Sequence, residues 1–176
     1  MFKKILFTFL VTLSLYSIVA AGYHLFEPED DLNEITDALV IDYKSLNEYV
    51  LSGNEGAIHY VLFYDKRIQD SEYVRNTLLT TVQNDTQLQL DRIIDIVDTS
   101  EIDQDSVTLR LTEDWGIRNI PALAVIRLEN GTPVLVSKLE WNSEQMLSAE
   151  DVEIWLADNG LYQPGETMEP VETPES

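Results

Sequence analysis

The stretch that most narrows the folds open to this chain runs from Ala57 to Tyr64 and reads Ala-Ile-His-Tyr-Val-Leu-Phe-Tyr. A run this short, this apolar and this rich in aromatic residues is a strand covered on both faces, as at the centre of a sheet. His59 sits inside it and reads as a structural histidine. A central strand needs neighbours on both sides, and the segments around it supply them in a definite order.

Ala38–Tyr43 is a short apolar run that predicts a first strand, and Ser45 is placed to cap a short helix ending at Ser52-Gly53-Asn54. After Tyr64, the charged stretch Asp65–Asp70 breaks the apolar run. Asp70 or Ser71 then caps a helix with Val74, Leu78 and Val82 along one face. Arg92–Val97 predicts another buried strand. Val107, Leu111 and Trp115 predict a helix that Gly116 ends. Ala122–Leu128 and Pro133–Leu139 flank Asn130-Gly131, a strong hairpin signal because both residues tolerate positive φ. Ser148-Ala149-Glu150-Asp151 has the form of a capping box, opening a last helix with Val152, Trp155 and Leu156 on its apolar face. The order βαβαβαββα is a βαβ half joined to a ββα half, an α/β sandwich whose central sheet has mixed strand directions.

Ahead of this domain, Lys3 and Lys4 precede a run without charge from Ile5 to Phe26. As a helix it reaches about 30 Å, enough to cross the hydrocarbon core of a bilayer. The two lysines keep its start in the cytoplasm and send the rest across. Its length favours a retained signal anchor, and Val19-Ala20-Ala21 offers the small-residue end that a cleaved signal peptide would need. The organisation expected is an anchor or signal peptide over 1–26, an acidic linker over 27–37, the folded domain over 38–162 and a disordered acidic tail over 163–176.

The chain carries 32 acidic and 11 basic residues, a formal net charge of −21. Such a surface repels phosphate backbones, which excludes nucleic acid as a natural partner and leaves cations or a basic protein patch. There is no cysteine, so thiolate nucleophiles, thiolate metal ligands and disulfides are all excluded. The two histidines, His24 and His59, lie too far apart in sequence to suggest a zinc site or a Ser–His–Asp hydrolase. Asp95, Asp98, Glu101, Asp103 and Asp105 crowd one stretch but lack the glycine and spacing of an EF-hand. No cofactor is expected.

Trp115-Gly116-Ile117-Arg118-Asn119-Ile120-Pro121-Ala122-Leu123 resembles the segment leading through the cis-proline of the thioredoxin family, with Asn119 in place of a glycine and Ala122 in place of a threonine. The hairpin and final helix follow in register. The resemblance covers roughly Ala38 to Tyr162. It implies a thioredoxin-like three-layer sandwich with a cis Ile120–Pro121 bond. Aligned on Val61-Leu62-Phe63-Tyr64, the family's two active-site cysteines fall on Ile68 and Ser71, its buried aspartate on Leu62 and its helix-kinking proline on Asn76. Thiol–disulfide exchange needs an attacking thiolate and a second sulfur, and neither is present.

What the resemblance leaves is the family's peptide-docking edge. The candidate surface is Asn119, Ile120, Pro121 and Trp141, with Tyr64 and the Asp65–Ser71 loop beside it. Trp141 is either an aromatic anchor for a partner or a plug in an unused groove. The reading this supports is a non-catalytic, extracytoplasmic module that binds a protein or peptide at the membrane. The rival expectations are a metal-assisted enzyme built on the acidic loop and a purely structural subunit of a membrane complex.

Overall fold

The computed structural model describes residues 38–142 and 146–163. The expected N-terminal helix, the acidic linker and, beyond residue 163, the acidic tail lie outside the described residues. Among the described residues no helix is long and apolar enough to cross a membrane.

The chain begins with β1 (Val40–Asp42) and, after one 3-10 turn, α1 (Leu46–Leu51). β2 (Ile58–Tyr64) leads into α2 (Gln69–Tyr73), which passes through a π-helical segment (Val74–Leu78) into α3 (Leu79–Thr86). A short α4 (Leu90–Ile93) precedes β3 (Ile94–Asp98) and α5 (Gln104–Trp115). The hairpin β4 (Ala122–Glu129) and β5 (Thr132–Glu140) and the final α6 (Ala149–Asp158) complete it.

The strands form one five-stranded sheet in the order β1-β3-β2-β4-β5. β1, β3 and β2 are parallel, β4 runs antiparallel to β2, and β5 antiparallel to β4. β2 is therefore the middle strand, as its apolar run predicts. Val61, Leu62 and Phe63 are fully buried, while Ile58 at its start is 50 % exposed. Alternate residues of a strand face opposite sides, and β2 divides its side chains between two cores. Leu62 and Tyr64 pack with Val74, Leu78 and Val82 from the helix after β2 and with Val152, Trp155 and Leu156 of α6. Val61 and Phe63 pack with Leu46 and Val50 of α1 and with Val107, Leu111 and Trp115 of α5. The result is the expected three-layer α/β sandwich, each layer fixed by a helical apolar stripe meeting one face of the sheet.

Local signals act where they were read. Gly116 takes φ +67°, the left-handed conformation that closes α5. Asn130 and Gly131 both have positive φ, the condition for a tight hairpin turn matched to strand twist. Ser148 and Asp151 form a reciprocal capping box at the start of α6.

Four boundaries differ from expectation. Ser45 has helical backbone and makes no capping hydrogen bond. α2 starts at Gln69 with Ile68 as its N-cap, so neither Asp70 nor Ser71 caps it. The turn that fixes this start is made upstream, where Ile68 N–H donates to the Asp65 carbonyl at 2.9 Å. β3 begins at Ile94, because Leu90–Ile93 winds as a helical turn first. α5 begins at Gln104, three residues before its first buried apolar side chain, Val107.

Candidate functional site

The loop between β2 and α2 is built around a buried carboxylate. Asp65 is fully buried at the end of β2. The Arg67 guanidinium meets it with two hydrogen bonds, Nε to Oδ1 at 2.8 Å and Nη2 to Oδ2 at 2.6 Å. Arg67 N–H also donates to Oδ1 at 2.9 Å, and Nη2 reaches on to the Ile102 carbonyl at 3.0 Å. Burial alone would raise the aspartate's pKa. The hydrogen bonds from Arg67 outweigh it and hold the carboxyl below the ordinary aspartate value. The fully buried Ser71 hydroxyl accepts the Asp65 N–H at 3.3 Å. The loop is thus closed on itself before any ligand arrives.

Opposite it runs the segment from Gly116 to Pro121, held from below by β5. The Glu140 carboxylate accepts the Arg118 N–H and the Asn119 side-chain amide, each at 3.3 Å. Lys138 pairs with Glu140 and donates to the Gly116 carbonyl at 2.5 Å. Ile120–Pro121 is cis. Among the described residues no hydrogen bond is made by the backbone N–H or carbonyl of Asn119 or Ile120. Trp141 N–H donates to the Pro121 carbonyl at 2.9 Å.

Between the loop and this segment lies an open cleft of about 240 Å³. Ile68, Val107, Ile120 and Trp141 give it apolar walls, and Asp70, Thr108, Arg118 and Asn119 give it polar ones. Its volume is below the range of about 300–1,000 Å³ usual for small-molecule pockets.

The cleft brings together Ile68, Asn119, Ile120 and Trp141 of the residues singled out from sequence. Trp141 is only 5 % exposed, with Tyr73 edge-on at 5.9 Å, so it is a wall of the cleft and not a projecting anchor. Pro121 is buried just behind the wall. Ser71 lies in the first turn of α2, buried, and does not line the cleft. Tyr64 does not line it either. It is 5 % exposed, its hydroxyl bonds to Glu72, and Arg75 lies 5.4 Å from its ring centroid. Asn76, at the family's proline position, lies in the π-helical segment and donates to Glu72 at 2.9 Å. His59 packs edge-on against Tyr49. Asp65, Arg67 and Asp70 belong to the Asp65–Ser71 loop expected beside the candidate surface, but their individual roles, and that of Arg118, carry no signal in the sequence.

The acidic stretch does not converge. Asp95 accepts from the Tyr49 hydroxyl at 2.6 Å, Asp98 from the Ser100 N–H at 2.8 Å, and Glu101 pairs with Lys44 at 3.3 Å. Among the described residues no group of three acidic or histidine side chains is placed to hold a metal ion. This geometry gives the rival expectation of a metal-assisted site in the acidic loop no support among the described residues.

Strand order, mixed directions and helices on both faces make this a thioredoxin-like fold, and the absence of cysteine makes it one that cannot exchange disulfides. No family model matches the chain, and no curated protein matches it. Solved structures similar to it include thioredoxin f2 of Chlamydomonas reinhardtii, 13% identical over 72% of this chain and 99% of that one, with a TM-score of 0.44. Thioredoxin of Trichomonas vaginalis is 15% identical over 69% of this chain and 94% of its own, with a TM-score of 0.41. Mitochondrial thioredoxin 3 of Saccharomyces cerevisiae is 12% identical over 72% and 99%, also at 0.41.

Proposed function

We propose that this chain is a redox-inactive docking module, tethered outside the cytoplasm by its N-terminal segment, that receives an extended segment of a partner protein. One observation carries the reading: among the described residues the backbone of Asn119 and Ile120 is unpaired, and it stands beside an open cleft of about 240 Å³. An extended segment can supply both missing halves, pairing its backbone with Ile120 and placing a side chain between Ile68 and Trp141. Export follows from Lys3 and Lys4 ahead of the uncharged run from Ile5 to Phe26.

The test is a selection of random peptides on the full chain in nanodiscs, followed by amide NMR. Selected peptides should shift the Asn119 and Ile120 resonances, and Ile120→Asp should weaken binding by more than its loss of folded protein explains, since Ile120 also packs against the core. Peptides that bind only elsewhere, or none selected, would end the docking reading. For the tether, protease added to intact cells or spheroplasts should digest the domain, and full protection would refute export.

A further inference from the structure

Two opposite charges line the cleft without meeting. Asp70, half-buried in the first turn of α2, and Arg118, exposed on the segment before Pro121, both contribute to its walls. Among the described residues four cations pair with acids: Arg67 with Asp65, Lys44 with Glu101, Arg127 with Glu129 and Lys138 with Glu140. Yet among the described residues the side chains of Asp70 and Arg118 have no ion-pair or hydrogen-bond partner, and they do not pair with one another. What sets Asp70 and Arg118 apart is their place: both line the cleft, with opposite charge.

We infer that the cleft selects a peptide in which an apolar side chain is flanked on the same face by a basic residue, for Asp70, and an acidic residue, for Arg118. The inference rests on the docking reading above and names its specificity. In an extended segment, residues i, i+2 and i+4 share one face, so a basic–x–apolar–x–acidic spacing presents all three groups to the cleft. The apolar side chain enters between Ile68, Val107, Ile120 and Trp141. Each flanking charge then gains a charge-assisted hydrogen bond in a site that the apolar residue has partly dried. Such a segment is neutral overall, so its recognition does not depend on the acidic surface at large.

Acetylated, amidated peptides centred on Lys-Ala-Leu-Ala-Glu, the reverse order Glu-Ala-Leu-Ala-Lys, Gln-Ala-Leu-Ala-Gln and Lys-Ala-Leu-Ala-Lys test this on the full chain in nanodiscs. One of the two mixed orders should bind about tenfold tighter than the glutamine peptide, the factor expected of a charge-assisted contact. Asp70→Asn should remove the dependence on the peptide's lysine, and Arg118→Gln the dependence on its glutamate. The exchange Asp70→Arg with Arg118→Asp should reverse the preferred order. Equal binding of mixed and glutamine peptides, with Asn119 and Ile120 still shifting, would overturn the charge selection and leave docking standing. Tightest binding by the doubly basic peptide, unchanged in Arg118→Gln, would overturn it in favour of bulk attraction. No shift at Asn119 or Ile120 with any peptide would overturn the docking reading itself.

Discussion

The Trp141 N–H donates to the carbonyl of Pro121 across 2.9 Å, one step beyond the last register pair of the β4–β5 ladder, Ala122 with Glu140. The sheet's own hydrogen bonding therefore fixes two residues at the back of the cleft, and the Glu140–Lys138 pair holds the segment in front of them. The neighbouring backbone of Asn119 and Ile120 is the part that the ladder leaves unused.

The purified chain should not accelerate insulin reduction by dithiothreitol, because it offers no sulfur for exchange. The double variant Ile68→Cys with Ser71→Cys places two sulfurs at the start of the helix after β2 and should raise the rate of insulin turbidity above either single variant. A wild-type rate that scales with protein would contradict the first half. A double variant that folds and forms its disulfide, yet is no faster than the single variants, would contradict the second.

The Asp65–Arg67 pair should make stability depend on acid. Arg67 holds the folded-state pKa of Asp65 below its unfolded value of about 3.9. The contribution is therefore present above the unfolded value and is lost as pH falls through the folded one. Urea midpoints of Asp65→Asn should lie below wild type at pH 7, and the gap should close on acidification through that window. A gap that does not change with pH would remove Asp65 as its source.

At the other end of the scale, Tyr49 and Tyr64 are pushed up to about 12, first by burial and then by the hydrogen bonds they donate to Asp95 and Glu72. A raised phenol pKa stabilises the fold fully below the unfolded value of about 10, and the effect is lost as pH rises through about 12. Ultraviolet titration of phenolate should show a late-ionising group that disappears in Tyr49→Phe and another that disappears in Tyr64→Phe. If both substitutions remove only early-ionising absorbance, the hydrogen bonds are not made in solution.

Gly116→Ala should cost about 1–2 kcal/mol, the penalty for an L-residue in the left-handed region. Space around the added methyl is open, so the cost is purely one of backbone conformation at φ +67°. Chemical denaturation measures it, and Gly116→Asn should recover part of the loss. A neutral Gly116→Ala would mean that the α5 cap relaxes.

The parts of the fold legible in sequence were those governed by one local signal. Ala57–Tyr64 announced the central strand, Asn130-Gly131 the hairpin, and Ser148 with Asp151 the last helix cap. The start of α2 was not legible. Asp70 and Ser71 are good capping residues, but the Asp65 turn five residues earlier commits the chain first. The cleft was legible in part. Asn119, Ile120 and Trp141 lay within reach of a motif, whereas Asp70 and Arg118 are 48 positions apart in sequence and become neighbours of one cleft only through the crossover between β2 and β4.

The self-closed loop at Asp65 also bears on the cost of association. Its turn is already ordered in the free chain by Arg67, Ser71 and the Ile102 carbonyl. Under the docking proposal, a segment arriving at the cleft meets a loop backbone with little conformational freedom left to surrender. The backbone entropy lost on complex formation then falls mainly on the incoming segment, and stiffening that segment, for example with a proline outside the contact, is the modification through which affinity should rise.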